Sequence, residues 1–305
     1  MQKYRKIVYY GHKDIPEEFY HKDRTVDVFE KIDGANFRFR VNNDLTLTFG
    51  SRNTIMDENM ENSKRWKPAV DHVKTNWERL IVNPTDQWLS SVVNKTFYAE
   101  HCVRHTIAYD FDTMPILIGF DIMDDNGYFY HWKVAKFIFS SFNIPFVPIV
   151  YEKIKLEQII PLTDAIIPRS KYYNGLAEGI VIKDYDSQIY VKYVSDKFKE
   201  HNAKTFKSHT NSKANRTDDD FFIDKLCPFR RMEKVLQTLI NDGNELDLSI
   251  MAVYPTAVWN DLWQEEWQRV RDMKKTFDLR DLKKRISKLC LSQVKSLISA
   301  GRELV

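Results

Sequence analysis

The clearest alternation of apolar and polar positions runs from residue 26 to residue 49. Val26, Val28 and Phe29 form a short apolar run, and Phe37, Phe39 and Val41 then alternate with Asn36, Arg38 and Arg40. A period of two predicts half-buried strands on both sides of the break at Gly34. Asn42-Asn43-Asp44 is a turn signal, after which Leu45, Leu47 and Phe49 alternate with Thr46 and Thr48, so 36–49 reads as a β-hairpin. A strand over residues 4–8 is expected to lead into this segment. Between Ser63 and Ile81 the period lengthens. Val70, Val73, Trp77 and Leu80 recur at three and four, and Pro68 suits a helix start. The tryptophan stripe of that helix reads as core.

Further strands are expected over residues 97–100 and over the apolar run 116–122. Asn126-Gly127 turns the latter, and Tyr128-Phe129-Tyr130 returns as a hairpin partner. Trp132, Ala135, Ile138, Phe139 and Phe142 predict a helix that Pro145 and Pro148 end. Residues 156–167 read as a short interrupted helix. Glu178 to Lys183 is a buried-type strand, and Ile189 to Val194 pairs back with it. Residues 199–219 lose all apolar rhythm and read as a linker. Beyond Phe221 the spacing is helical, with apolar faces at Met232, Val235, Leu236, Leu239, then Val258, Leu262, Trp263, Trp267, then Leu282, Ile286, Leu289, Leu297. The fold class expected is α+β: a domain of mixed and antiparallel sheets over 1–205, a linker over 206–220, and a small all-α domain over 221–305.

Composition changes this picture little. With 305 residues, 43% hydrophobic and 29% charged, the chain has enough material for one large or two smaller domains. A net charge of +3 says almost nothing about partners. Cys102, Cys227 and Cys290 lie far apart, so free thiols in a reducing compartment are expected. His101 and His105 have a metal-like spacing only if helical, and no third ligand accompanies them. No apolar run reaches the ~18 residues of a membrane helix, and no signal core opens the chain. A cytoplasmic protein with no membrane partner and no obligate protein partner is expected.

The chemistry gathers around Glu30-Lys31-Ile32-Asp33-Gly34-Ala35-Asn36-Phe37. It places a lysine at a strand-to-turn junction, with an acid before it and another two residues later. By themselves, Lys31 and Asp33 flanking a turn glycine are ordinary surface features. So are Arg52 and Lys192, and Phe120 alone reads as core. Their order is what matters. Lys31 is followed by Ser51-Arg52-Asn53, by Glu100 in Tyr98-Ala99-Glu100-His101, and by Phe120 in Gly119-Phe120-Asp121-Ile122. Then come Glu178-Gly179-Ile180-Val181-Ile182-Lys183 and, in the next strand, Lys192.

This series resembles the nucleotidyl-transfer motifs of the covalent nucleotidyltransferases, the DNA ligases, RNA ligases and capping enzymes. Glu-Lys-x-Asp-Gly-Ala-Asn-Phe, Ser-Arg-Asn and Phe-Asp-Ile resemble the RNA-ligase form. The resemblance covers about residues 4–200 and implies an ATP-dependent RNA ligase. Lys31 would carry AMP as a phosphoramidate, with Glu100, Glu178, Lys183 and Lys192 catalytic. Glu100 and Glu178 would hold magnesium or manganese. Glu30, Ile32, Asn36, Arg52 and Phe120 would bind ATP, with Phe120 stacking on the base and Glu30 reading its edge. Nearby cations, burial and metal would lower the lysine's proton affinity.

A helical C-terminus is similar to that of the nick-sealing, double-strand-type RNA ligases, whereas DNA ligases and capping enzymes carry a barrel there. The nick-sealing branch usually shows Lys-x-Lys in its last motif. Here the positions read Lys192-Tyr193-Val194, and the nearest spare cation is Lys197. RNA, as nicked duplex or single-stranded ends, is the expected partner. The alternatives are a GTP-dependent capping guanylyltransferase and a non-catalytic RNA-binding relative. A second geometric question is open: Glu178 and Lys183 are five apart, so they reach one site only if the strand bends.

Overall fold

The computed structural model describes residues 1–103, 109–195, 218–273 and 275–299. Contacts divide the chain into two units, Met1–Phe198 and Lys199–Val305. The first contains nine strands among the described residues: β1 Val8–Tyr9, β2 Thr25–Lys31, β3 Ala35–Val41, β4 Leu47–Ser51, β5 Thr96–His101, β6 Leu117–Met123, β7 Ile149–Lys155, β8 Gly179–Asp184 and β9 Ile189–Val194. Helices α1 Glu58–Glu61, α2 Lys67–Leu80, α3 Asp86–Val92 and α4 Trp132–Ser141 lie between them.

The strands form two sheets, ordered β1-β9-β8-β2-β7 and β4-β3-β5-β6. Among the described residues, β1 with β9 is the one parallel strand pair. Strands β2 and β3 are consecutive in sequence yet belong to different sheets. The three residues Ile32–Gly34 carry the chain from one to the other, and Lys31 is the last residue before the crossing. The crossing is tight. A Cβ at Gly34 would sit 2.6 Å from the His101 carbonyl oxygen and 2.9 Å from Glu100 Cγ, so the motif glycine permits a close approach.

In an antiparallel pair, opposite residues share a face. Lys31 lies opposite Gly179, Phe29 opposite Val181 and Asp27 opposite Lys183. Val181 in turn lies opposite Lys192. Lys31, Lys183 and Lys192 therefore project from one face of the five-stranded sheet. The reverse face packs Val26, Val28, Ile180, Ile182 and Val191 against Phe19, Leu156 and Ile159. In the four-stranded sheet Asn36 lies opposite Glu100, and Tyr98 lies opposite both Arg38 and Asp121. The other face of that sheet buries Phe37, Phe39 and Phe97 with Val70, Val73, Ile138 and Phe139 of α2 and α4. The polar faces of the two sheets confront each other, and the site lies there.

The hairpin over β3 and β4 and the pairing of β8 with β9 follow the alternation. Several elements differ from it. Strand β7 follows the prolines that were expected to end α4. It is an edge strand with exposed Tyr151, Glu152 and Lys153, a left-handed Lys153 (φ 50°) and register shifts against β2, so it shows no clean period. The return after Asn126-Gly127 is a single bridge, Met123 to Phe129, rather than a strand. The first strand covers only Val8–Tyr9, and residues 156–167 make two 3₁₀ turns, Leu156–Gln158 and Asp164–Ile166. Helices α1 and α3 were not anticipated. Both are short and are started by caps, Asp57 accepting from the Met60 N–H and Thr85 from the Trp88 N–H.

At Gly179, β8 lies close against β9. A Cβ there would lie 2.1 Å from the Tyr193 carbonyl oxygen and 2.8 Å from Val194 Cα. Both obstacles are backbone, so the strands must separate. Gly179→Ala is expected to destabilise the first unit by about 2–4 kcal/mol, read as a lower urea midpoint.

The second unit is helical over its described residues: α5 Asp218–Leu226, α6 Phe229–Asn241, α7 Tyr254–Asp272 and α8 Leu279–Ser299. Its core joins Phe222, Leu236, Tyr254, Val258, Leu262, Leu282, Ile286 and Val294. Most of the expected linker lies outside the described residues, and its last three positions, 218–220, open α5. No described helix is long and apolar enough to cross a membrane.

Candidate active site

Lys31 reaches from the end of β2 to Glu178, with its Nζ donating to Oε2 at 2.5 Å. The lysine side chain is 22% exposed and the glutamate 8%. Glu178 ends up beside Lys31 because the chain bends just before β8, where the Ser195 N–H donates to the Glu178 carbonyl at 3.0 Å. That bend answers the spacing question: Glu178 precedes the regular strand, so its side chain is not bound to the face opposite Lys183.

The charge around Lys31 runs opposite to expectation. Burial is the largest influence and by itself lowers the ammonium's pKa. Glu178, Glu100 and Asp33 together more than offset it and hold Lys31 above its ordinary value. The two cations of this sheet face are engaged elsewhere: Lys183 Nζ on Asp121 and Lys192 Nζ over the Tyr9 ring. Lys31 at rest is thus an ammonium in a carboxylate pocket.

Lys183 is committed elsewhere. Its Nζ donates to Asp121 Oδ1 and to the Phe120 carbonyl, each at 2.8 Å. The lysine side chain is 2% exposed and the aspartate fully buried. Burial presses Lys183 down and Asp121 up, each toward its neutral form, and each is opposed by the other's charge. Tyr4 Oη adds a hydrogen bond to Asp121 Oδ2 at 2.6 Å. Lys183, expected to meet phosphate, is held by Asp121 and by the Phe120 carbonyl across the two sheets. Asp121→Ala would leave its ammonium buried without a counter-charge, at a cost of about 3–5 kcal/mol. Urea unfolding is expected to show this loss, and adding Lys183→Met to recover most of it.

Phe120 sits where the register of β5 and β6 shifts between Tyr98 and Ala99. The bulge re-aims its half-buried ring, which meets the Tyr4 ring edge-on at 5.0 Å. Lys192 Nζ lies 4.2 Å from the Tyr9 ring centroid. Glu30 is 3% exposed. Its Oε2 accepts from the Lys171 N–H at 3.2 Å, while Oε1 has no partner, and burial raises its pKa. Asn36 Oδ1 is also buried without a partner, opposite Glu100. Ile32 is 5% exposed in the core, so only its backbone is available to a nucleotide. Arg52 is exposed in the turn after β4.

Two contributors were not anticipated. Asp121 was legible: an acid inside the apolar run 116–122 needs a buried partner. Tyr109, whose Oη accepts from the Asp33 N–H at 3.0 Å, carries no signal in the sequence. His105 and Lys197 lie outside the described residues. Burial and Arg65 push the His101 imidazole down to about 3, so it stays neutral. Among the described residues no group of three His, Cys, Asp or Glu side chains is placed to hold a metal.

Solved structures of Naegleria gruberi RNA ligase resemble the chain. A lysine-to-alanine variant with ATP and manganese aligns with a TM-score of 0.47 at 21% identity, over 66% of this chain and 58% of that one. The same ligase with pyrophosphate gives 0.45 and 22%, over 60% and 53%. The chain thus spans less than two thirds of the length of these proteins. No curated protein matches it. A family model described as RNA ligase matches residues 24–201, more than half of the chain and every strand from β2 to β9. With the lysine motif, the paired glutamate and the two facing sheets inside that match, the chain belongs to the RNA ligase family.

Proposed function

We propose that this protein is an ATP-dependent RNA ligase that joins a 3′-hydroxyl to a 5′-phosphate. The observation that carries this reading is the Lys31–Glu178 pair at the crossing between the two sheets, inside the region matched by the family. Burial is the largest influence on Lys31, so the amine sheds its proton when the carboxylate field on it weakens. Lys31 Nζ then attacks the α-phosphorus of ATP. The bond from that phosphorus to the bridging oxygen breaks, and pyrophosphate leaves with the electron pair. An RNA 5′-phosphate next attacks the lysyl-AMP phosphorus, and the P–N bond breaks to return the amine. Finally the 3′-hydroxyl attacks the adenylated 5′-phosphate and AMP departs.

The other residues position this chemistry. Lys192, on the same sheet face as Lys31, supplies charge toward a phosphate lying between them. Phe120 offers its ring to the base. The unpartnered Glu30 Oε1 accepts from a donor such as an exocyclic amine. The orphaned Asn36 Oδ1 and the Glu100 and Glu178 carboxylates are oxygen donors that suit a hard divalent cation. Magnesium or manganese held there would offset triphosphate charge.

A nicked RNA duplex is the preferred substrate in this reading, because the second unit is helical rather than a barrel. The test compares α-labelled ATP with GTP, then nicked-duplex with single-stranded RNA. Label from ATP and faster sealing of the nick are expected. Label from GTP alone would make the protein a capping enzyme, and RNA binding with no label a non-catalytic relative.

A further inference from the structure

The net charge of +3 is spread unevenly. Helix α8 carries six cations (Arg280, Lys283, Lys284, Arg285, Lys288, Lys295) and one carboxylate, Asp281. Helix α7 carries more carboxylates than cations, and α5 opens on three aspartates. Arg285 is engaged by Asp220 and lies within 4.0 Å of Asp281. The other five cations are exposed, and none has an ion pair among the described residues. An exposed helix face ordinarily mixes both signs; this one does not.

The geometry is linear. Leu282, Ile286, Cys290, Gln293 and Val294 form the buried side of α8. At 3.6 residues per turn, Arg280, Lys284, Lys288 and Lys295 fall within an arc of about 80° on the opposite side. The first three repeat every four residues, about 6 Å apart along the axis, and the row reaches about 22 Å. Evenly spaced ammonium and guanidinium groups on a straight row match successive phosphates of one nucleic-acid strand. Lysine supplies a point charge suited to phosphate, and phosphate contacts carry no sequence information.

We infer that this face of α8 holds the RNA substrate by its phosphodiester backbone, independently of sequence. The inference rests on the RNA-ligase reading for its choice of partner. It assigns to the second unit a binding role that the family match, ending at residue 201, does not cover.

The test uses the full chain with Arg280→Gln, Lys284→Gln and Lys288→Gln together. A control removes three exposed cations of the first unit, Lys13→Gln, Lys136→Gln and Lys153→Gln. The probe is a nicked RNA duplex, with affinity measured across a series of salt concentrations. Loss of phosphate contacts should flatten the slope of log affinity against log salt by about 0.9 for each contact removed, and affinity at physiological salt should fall about tenfold or more. The control should stay near wild type. Label transfer from ATP should be unchanged in both, since none of the residues proposed above to meet ATP is altered in either variant. An α8 variant with wild-type slope and affinity, or a control that loses as much, would overturn the inference. A wild-type chain that takes no label yet binds RNA through α8 would overturn the ligase reading alone and leave this inference standing.

Discussion

Lys31→Arg is expected to keep the fold and to take up no label from α-labelled ATP. Arginine preserves a positive charge against Glu178 and Glu100, so the carboxylate pocket remains neutralised. Its guanidinium does not lose its proton in a protein and cannot attack phosphorus. Lys31→Ala would also lose the label, but it would strand Glu178, 8% exposed, beside Glu100 without a cation. That second variant should therefore also lose about 1–3 kcal/mol of stability. Comparing the two separates the amine as nucleophile from the ammonium as structural partner. Label on Lys31→Arg at the wild-type level would remove the lysine from the chemistry.

Glu178→Gln should uncouple two properties that travel together in most active-site variants. Glu178 is the strongest of the groups raising the Lys31 pKa, through both its charge and its hydrogen bond. Without that charge the pKa falls from its raised value. Amine-directed modification of Lys31 should then proceed at lower pH than in the wild type. Label transfer should nevertheless drop about 100-fold or more, because a carboxylate aimed at the reacting phosphates is lost. A variant in which modification and label transfer rise together would show that Glu178 restrains Lys31 and does nothing else. One in which modification is unmoved would show that the pair is not coupled.

The parts of the fold that were legible are those where one face of an element meets apolar core and the other meets something polar. Strand β3 announces itself because Phe37, Phe39 and Val41 point into one core while Asn36, Arg38 and Arg40 lie on the opposite, polar face. On its polar side Asn36 lies opposite Glu100, while Arg38 donates to the Ser51 carbonyl and Arg40 to Asn94. Strand β7 was not legible because it is an exposed edge, where burial imposes no period. The motif glycines were visible as breaks, but their reason was not. Gly34 is required by the nearness of the His101 carbonyl, in a strand some seventy residues away.

Residue identities in the site were easier to read than residue roles. Lys31 and Glu178 are adjacent in space, as their order in the motif series implies. The resting charge of Lys31 was not legible, because the carboxylates that hold its proton, Glu178, Glu100 and Asp33, come from three separate segments. Lys183 illustrates the same limit. A lysine at the end of an apolar strand gives no sign of its partner, and only the packing of one sheet on the other shows Asp121 beside it. One-dimensional patterns fix which face a side chain joins. They do not say which group on the facing sheet stands opposite.

The most direct measurement is to treat the wild-type protein with ATP and a divalent cation, digest it, and locate the adduct by mass spectrometry. A single AMP on the peptide bearing position 31, labile in acid as a P–N bond is, is the outcome predicted here. Adenylate on Lys183, Lys192 or any other side chain, or RNA sealed by a protein that never acquires AMP, would contradict it.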